Sequence, residues 1–259
     1  MSASILMADE GGVRVLTIDR AQRSNALDDE ASQLLVEHFT EANADPDVRV
    51  VVVTGSGDRA FCAGRDLREL DDKAKSQTQI KQPMVAAERN LHETVFETYK
   101  PVLAVVNGAA VGGGCELALA CDLRIAAEHS FLQLSEAKRG MGANFASVLL
   151  PQLLPRAIAM EMLYCGRRML PDEALQWGLL NAVHPKERLM DEAMTFAHSI
   201  ARNAPLSLRR YAEMAKKSWG QPISAGLRLN VGPNPYTSKD RVEGVNAFVE
   251  KREPHWTGE

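Results

Sequence analysis

Glu116 and Glu136 are the residues of this 259-residue chain whose types and neighbours point most directly to acid–base chemistry. Glu116 follows a triple glycine inside an otherwise apolar stretch, GGGCELALAC. A glutamate in such company needs a partner or a task. Its plainer reading is a helix-start carboxylate that satisfies free amides. Glu136 lies in FLQLSEAKRG beside Lys138 and Arg139, where the plainer reading is a surface charge pair. Brought together, two such carboxylates would titrate as a coupled pair and could divide the work of base and acid.

Two glycine-bearing segments, VVVVTGSGDRAFCAGRDL and VLAVVNGAAVGGGCEL, each follow a strand-like apolar run. Glycine lets a backbone approach a ligand and leaves its N–H groups unblocked, and a helix beginning there favours negative charge. Two such turns together would offer a pair of amides to one oxygen, the requirement for stabilising a developing oxyanion. Ordinary tight turns are the simpler alternative. The first segment also contains GSGDRA, a match to the G-x-G-x-x-A dinucleotide fingerprint. Phe61-Cys62-Ala63-Gly64 interrupts the helix that would carry a pyrophosphate there.

The elements that must position these groups alternate between strand and helix in the first half. Val13–Asp19 and Asp122–Ala127 read as strands, and Arg49–Gly55 and PVLAVVNG as strands buried on both faces. Asp28–Asn43 has helical spacing with an acidic first turn. The pattern predicts a polar helix over Met84–Tyr99, stopped by Pro101. From about Ala146 the periodicity is helical to the end, which predicts an α/β core with a C-terminal helical extension. The polar run Asp71–Gln82 is the expected mobile surface segment. A helix over Gly113–Cys121 would run about 13 Å and the strand after it about 20 Å. A return of similar length can bring Glu136 back beside Glu116.

The net charge of −4 lacks the basic face expected of a nucleic-acid binder. Four cysteines, Cys62, Cys115, Cys121 and Cys165, form no CxxC pair and suggest reduced thiols in a cytoplasmic protein, without a zinc site. The N-terminal run lacks the basic region of a signal peptide. Val102–Ala120 carries Asn107, glycines and Glu116, so it reads as buried core and not as a membrane span.

These blocks resemble the enoyl-CoA hydratase/isomerase (crotonase) superfamily along nearly the whole chain. The matching stretches are SNALDDE, VVVTGSGDRAFCAGRDL, KPVLAVVNGAAVGGGCELALACDLRIAAE, SEAKRGMG, EALQWGLLNAVHP and EGVNAFVEKREP. The segment from Leu154 through GRRM to NAVHP is most similar to the carnitinyl-CoA dehydratase branch. The resemblance implies a spiral of ββα units over residues 1–200 and a helical oligomerisation region over 201–259, which would build a homotrimer or a dimer of trimers. It makes the N–H groups of Arg65 and Gly113 the oxyanion hole, with Gly64 and Gly112 beside them as substrate-binding residues. Glu116 and Glu136 match the two catalytic glutamates of the hydratases. Arg23, Ala26, Ala63, Asp66 and Leu67 fall where the family contacts coenzyme A.

The implied reaction is addition of water to a 2-enoyl-CoA, with Glu116 as base toward water and Glu136 as acid. No metal or redox cofactor is expected, since coenzyme A belongs to the substrate. Double-bond isomerisation, thioester or C–C hydrolysis, and non-catalytic acyl-CoA binding remain alternatives. Three departures stand out. Ala143 and Asn144 replace the family's usual proline and glycine, and Asn144 would either turn the chain or face the acyl pocket. Arg65 stands where small or apolar residues are common, and proline is missing at Ala21. Part of the acyl lining is expected from Met84–Phe96, with Arg89 and His92 facing either pocket or water.

Overall fold

The computed structural model describes residues 4–76, 84 and 88–259. Val50–Val53 show why the chain builds layers. Val51 and Val53 pack into one apolar cluster, and Val50 and Val52 into another. Alternation with period two places these pairs on opposite faces of one strand, so a sheet containing it must be covered on both sides.

That sheet has six strands, β1 (Ile5–Glu10), β2 (Val13–Ile18), β3 (Val50–Gly55), β5 (Val102–Val106), β7 (Leu123–Ala127) and β10 (Ala182–His184), in this spatial order. Only the β1–β2 pair is antiparallel. A second sheet orders β4 (Ala60–Cys62), β6 (Ala109–Val111), β8 (Phe131–Gln133) and β9 (Arg168–Met169). Its first three strands are parallel, and β9 runs antiparallel to β8.

The chain steps repeatedly from one sheet to the other and then into a helix. β3 and β4 lead to the helix Leu67–Lys75, β5 and β6 to Gly113–Ala120, and β7 and β8 to the turn Glu136–Arg139 and the helix Asn144–Leu153. This is the expected crotonase-like spiral of ββα units. The face of the large sheet bearing Val50, Val52, Leu103, Val105 and Ile125 is closed by Leu189, Ala193, Ala197 and Ala201 of the helix Lys186–Ala201. Helices Pro205–Ser218 and Lys239–Glu250 follow. Among the described residues no helix is long and apolar enough to cross a membrane.

Several expected elements differ. The second half is not wholly helical, because β9 and β10 each add a short strand to an existing sheet edge. These strands have two and three residues, too few to show a period against the helices around them. The helix expected over Met84–Tyr99 occupies Leu91–Glu97. Asn90 sets its start, accepting from Glu93 N at 3.1 Å while the Glu93 side chain accepts from Asn90 N at 3.1 Å. That reciprocal capping box fixes an N-terminus more strongly than periodicity does. Asp71–Lys75 of the polar run lie in a helix, and residues 77–82 fall outside the described residues. No helix opens after GSGDRA, where the chain bends directly into β4, so the dinucleotide reading loses the helix terminus it requires.

Candidate active site

Gly64 and Gly114 allow the two glycine segments to meet. A Cβ on Gly64 would stand 2.8 Å from Gly113 N and 2.8 Å from Val111 O, and Gly64 has φ +82°. A Cβ on Gly114 would stand 2.0 Å from Cys62 O. Only glycine at both positions lets the end of β4 press against the first turn of the helix Gly113–Ala120. The result is a shared niche, since a Cβ built on Gly113 would lie 3.8 Å from Arg65 N. Neither the Arg65 nor the Gly113 amide donates to a backbone partner among the described residues. Gly113 is the first residue of its helix, with Gly112 at the N-cap, where free amides and the helix dipole favour negative charge.

The turn bearing Arg65 is braced from below. Asn25, fully buried with φ +55°, donates through Nδ2 to Ser56 O (3.0 Å) and Ala60 O (2.7 Å). Leu27 N donates to Gly64 O at 2.8 Å, and Asp66 N returns to Leu27 O at 2.8 Å. Asn107 closes the other side, donating to Gly55 O and Gly57 O at 2.7 Å each. The residues matched to coenzyme A therefore cluster on two mutually paired loops. Ala26 and Asp66 are buried, Ala63 is half-buried, and Arg23 and Leu67 are exposed at the rim. Ala63 N donates to Ser24 O at 3.1 Å, and Arg20 joins Asp28 (2.6 Å) to Asp66 (3.4 Å). The Arg65 side chain pairs with Asp29 and with Glu69 at 3.3 Å.

Both glutamates are buried and flank the same turn. Glu136 Oε1 would be 3.1 Å from a Cβ on Gly112, and Glu116 N donates to Gly112 O at 2.9 Å. Glu116 Oε1 accepts from Ala146 N at 2.9 Å, and the neighbouring Phe145 amide also favours the ionised carboxylate. Glu116 thus satisfies a helix start, as its plainer reading expects, but the helix is Asn144–Leu153 and not its own. Among the described residues Glu136 is in no ion pair. Lys138 donates to Gly166 O (2.9 Å) and Arg139 to Ser135 Oγ (2.7 Å), which leaves Glu136 Oε2 buried without a partner among the described residues. Burial raises both carboxyl groups above the usual glutamate range. The amides of Ala146 and Phe145 oppose this at Glu116; at Glu136 its own backbone amide opposes it and the nearby Glu116 charge reinforces it.

Sequence reasoning left His92 undecided and did not single out Phe145. His92 is half-buried against the niche, its Nε2 2.9 Å from Gly113 O, and its ring stacks on Phe145 at 5.7 Å. Burial lowers its pKa. Arg89 faces the surface with Glu93 and Glu97. Asn144 is half-buried at the first position of its helix, and its Oδ1 would be 2.7 Å from a Cβ on Gly142. The spacing of Asn90, His92 and Glu93 contained the signal for a capped helix start, but nothing in it aimed the imidazole at Gly113.

Known proteins share both the sequence and the architecture. A family model described as enoyl-CoA hydratase/isomerase matches residues 8–259. The chain is 38% identical to a carnitinyl-CoA dehydratase of Salmonella paratyphi A, over the whole of both chains. Among solved structures, an enoyl-CoA hydratase of Mycobacterium tuberculosis H37Rv superposes with a TM-score of 0.89 at 31% identity, covering both chains completely. One from Bacillus anthracis gives 0.87 at 33% identity, covering 99% of this chain and all of that one. The chain belongs to the enoyl-CoA hydratase/isomerase family.

Proposed function

We propose that the protein is a hydro-lyase that adds water reversibly to a short or polar 2-enoyl-CoA. The observation that carries this reading is Glu136 Oε2, a buried carboxylate oxygen without a partner, beside Glu116 and next to two unengaged amides. A buried polar atom left open is costly, and a water held between the two carboxylates would satisfy it.

The thioester carbonyl accepts from Arg65 N–H and Gly113 N–H. Glu116 takes a proton from the water as its oxygen bonds to C3, and the C2=C3 electrons move toward the carbonyl oxygen. The resulting enolate is stabilised where the amides point, each such donor being worth about 3–4 kcal/mol. Glu136 then delivers a proton to C2. A carboxyl group raised by burial can hold a proton for that step near neutral pH. Coenzyme A is carried by the substrate, contacted by Arg23, Ala26, Ala63, Asp66 and Leu67, and no metal or redox cofactor enters the chemistry.

The same reading makes residues 201–259 the oligomerisation region of a cytosolic homotrimer or dimer of trimers. Ile223, Leu227, Tyr236, Phe248 and Val249 expose apolar surface that a partner copy would cover. A panel of acyl-CoAs, including crotonyl-CoA and crotonobetainyl-CoA, assayed in both directions tests the activity. The expected result is reversible water addition to at least one short or polar 2-enoyl-CoA. Movement of the double bond alone, or release of free coenzyme A alone, would overturn it in favour of an isomerase or a hydrolase.

A further inference from the structure

His92 stands at a junction that neither glutamate explains. It is the second residue of the capped helix Leu91–Glu97, so its backbone is fixed independently of the niche. Its ring reaches the neighbouring ββα unit, where Nε2 lies 2.9 Å from Gly113 O. A carbonyl can only accept, so Nε2 carries the hydrogen, and burial favours the neutral ring. The other face of the contact is Phe145, stacked at 5.7 Å and 30°. Ala146, the residue after Phe145, supplies the amide that holds the Glu116 carboxylate at 2.9 Å, and the Phe145 amide also favours its ionised form. One imidazole therefore touches both the peptide that follows the Gly113 amide and the turn that fixes Glu116.

We propose that His92 is a positioning residue, which aligns the Gly113 amide by bonding the Gly113 carbonyl and braces the Glu116 turn through Phe145. Gly113 is flanked by glycines and has no side chain of its own to hold its torsions. A fixed donor on its carbonyl restricts ψ at Gly113 and with it the first turn of the helix. Preorganisation matters here because the amide must point at the oxygen that develops charge before that charge appears. Glu136 and Glu93 lie close enough to act on the ring electrostatically, and both favour its charged form. Burial outweighs them.

The inference rests on the site read as an oxyanion hole, and two variants test it in the full chain. His92→Phe keeps an aromatic ring against Phe145 but deletes the donor, whereas His92→Gln restores a donor and loses the stack. Turnover and the infrared carbonyl band of bound enoyl-CoA are read together. For His92→Phe the expected result is a kcat lowered about tenfold, a modest part of the roughly hundredfold cost of a 1 Å misplacement. KM should change little, and the carbonyl band should move back toward its free position. His92→Gln should recover most of both signals. Retention of kcat and band by His92→Phe, or no recovery by a folded His92→Gln, would overturn the proposal. A wild-type protein that polarises the carbonyl but adds no water would sink the hydratase reading alone, while the band would still judge His92.

Discussion

Glu116 projects from the first turn of a regular helix and is held by amides from the start of another, whereas Glu136 stands on the single turn Glu136–Arg139 with one carboxylate oxygen open. Both are buried to a similar depth, and burial raises both. The surroundings separate them. Amide donors favour the ionised form of both, Ala146 and Phe145 at Glu116 and its own backbone amide at Glu136, and only Glu136 also feels the other carboxylate's charge opposing its ionisation. On the proposed reading this difference suits Glu116 to the role of base and Glu136 to that of acid. The role assigned to each glutamate follows from its immediate neighbours and not from its depth.

The largest expected effect comes from removing either carboxylate. Glu116→Gln and Glu136→Gln should each lower hydration by about 10²–10⁴-fold while acyl-CoA binding persists. Steady-state kinetics beside a binding titration checks this, and normal turnover by either variant would break the comparison. Next comes Gly113→Pro, which deletes an amide donor at the one helical position where proline is well tolerated. A folded variant should lose about 10²–10³-fold in kcat, and retained activity would move the hole elsewhere.

The smallest effect is on stability and separates the two glutamates most sharply. A folded-state pKa raised by burial means that the stabilising balance is fully present below the ordinary glutamate value, and is lost as pH rises through the raised value. At pH 8 each ionised carboxylate therefore burdens the fold. Glu136→Gln should lift the burden and raise Tm at pH 8 by about 2–4 °C, the shift that 1 kcal/mol produces at this size, with little gain at pH 4. Glu116→Gln should gain less, because it also gives up charge-assisted bonds from Phe145 and Ala146. Equal gains in thermal melts at the two pH values would mean that the surroundings are equivalent after all.

Much of this site could be read from local pattern. The strands around Val50–Val53 and Val102–Val106, the helix after Asp28, and the glycines that admit close approach all announce themselves through composition and period. The family blocks singled out Arg65, Gly113 and both glutamates as candidates, and the fold brings Gly113 beside Arg65 and Glu136 beside Gly112. The short strands of the second sheet were not legible, because three residues such as Ala109–Val111 carry no measurable period. The repeat was hidden because the loop and helix between units vary in length, so the ββα steps recur in space without a fixed interval in sequence. Lys138 and Arg139 suggested a partner for Glu136, yet both spend their donors on nearby oxygens. Which carbonyl a cation reaches depends on the fold and is invisible in a list of neighbours. The same holds for His92, whose target belongs to a different unit of the spiral.

The contact of Gly114 with Cys62 O has a consequence for how the molecule loses function. The proposed oxyanion hole is not carried by one loop that could form alone. Half of it belongs to the end of β4 and half to the helix after β6, and they meet through backbone atoms with no intervening side chain. A separation of the two units by even a water diameter would leave each peptide correctly folded and the pair useless. On the proposed reading, catalytic competence is a property of the docked interface between successive turns of the spiral. Activity should therefore fail before secondary structure does when the two units begin to part.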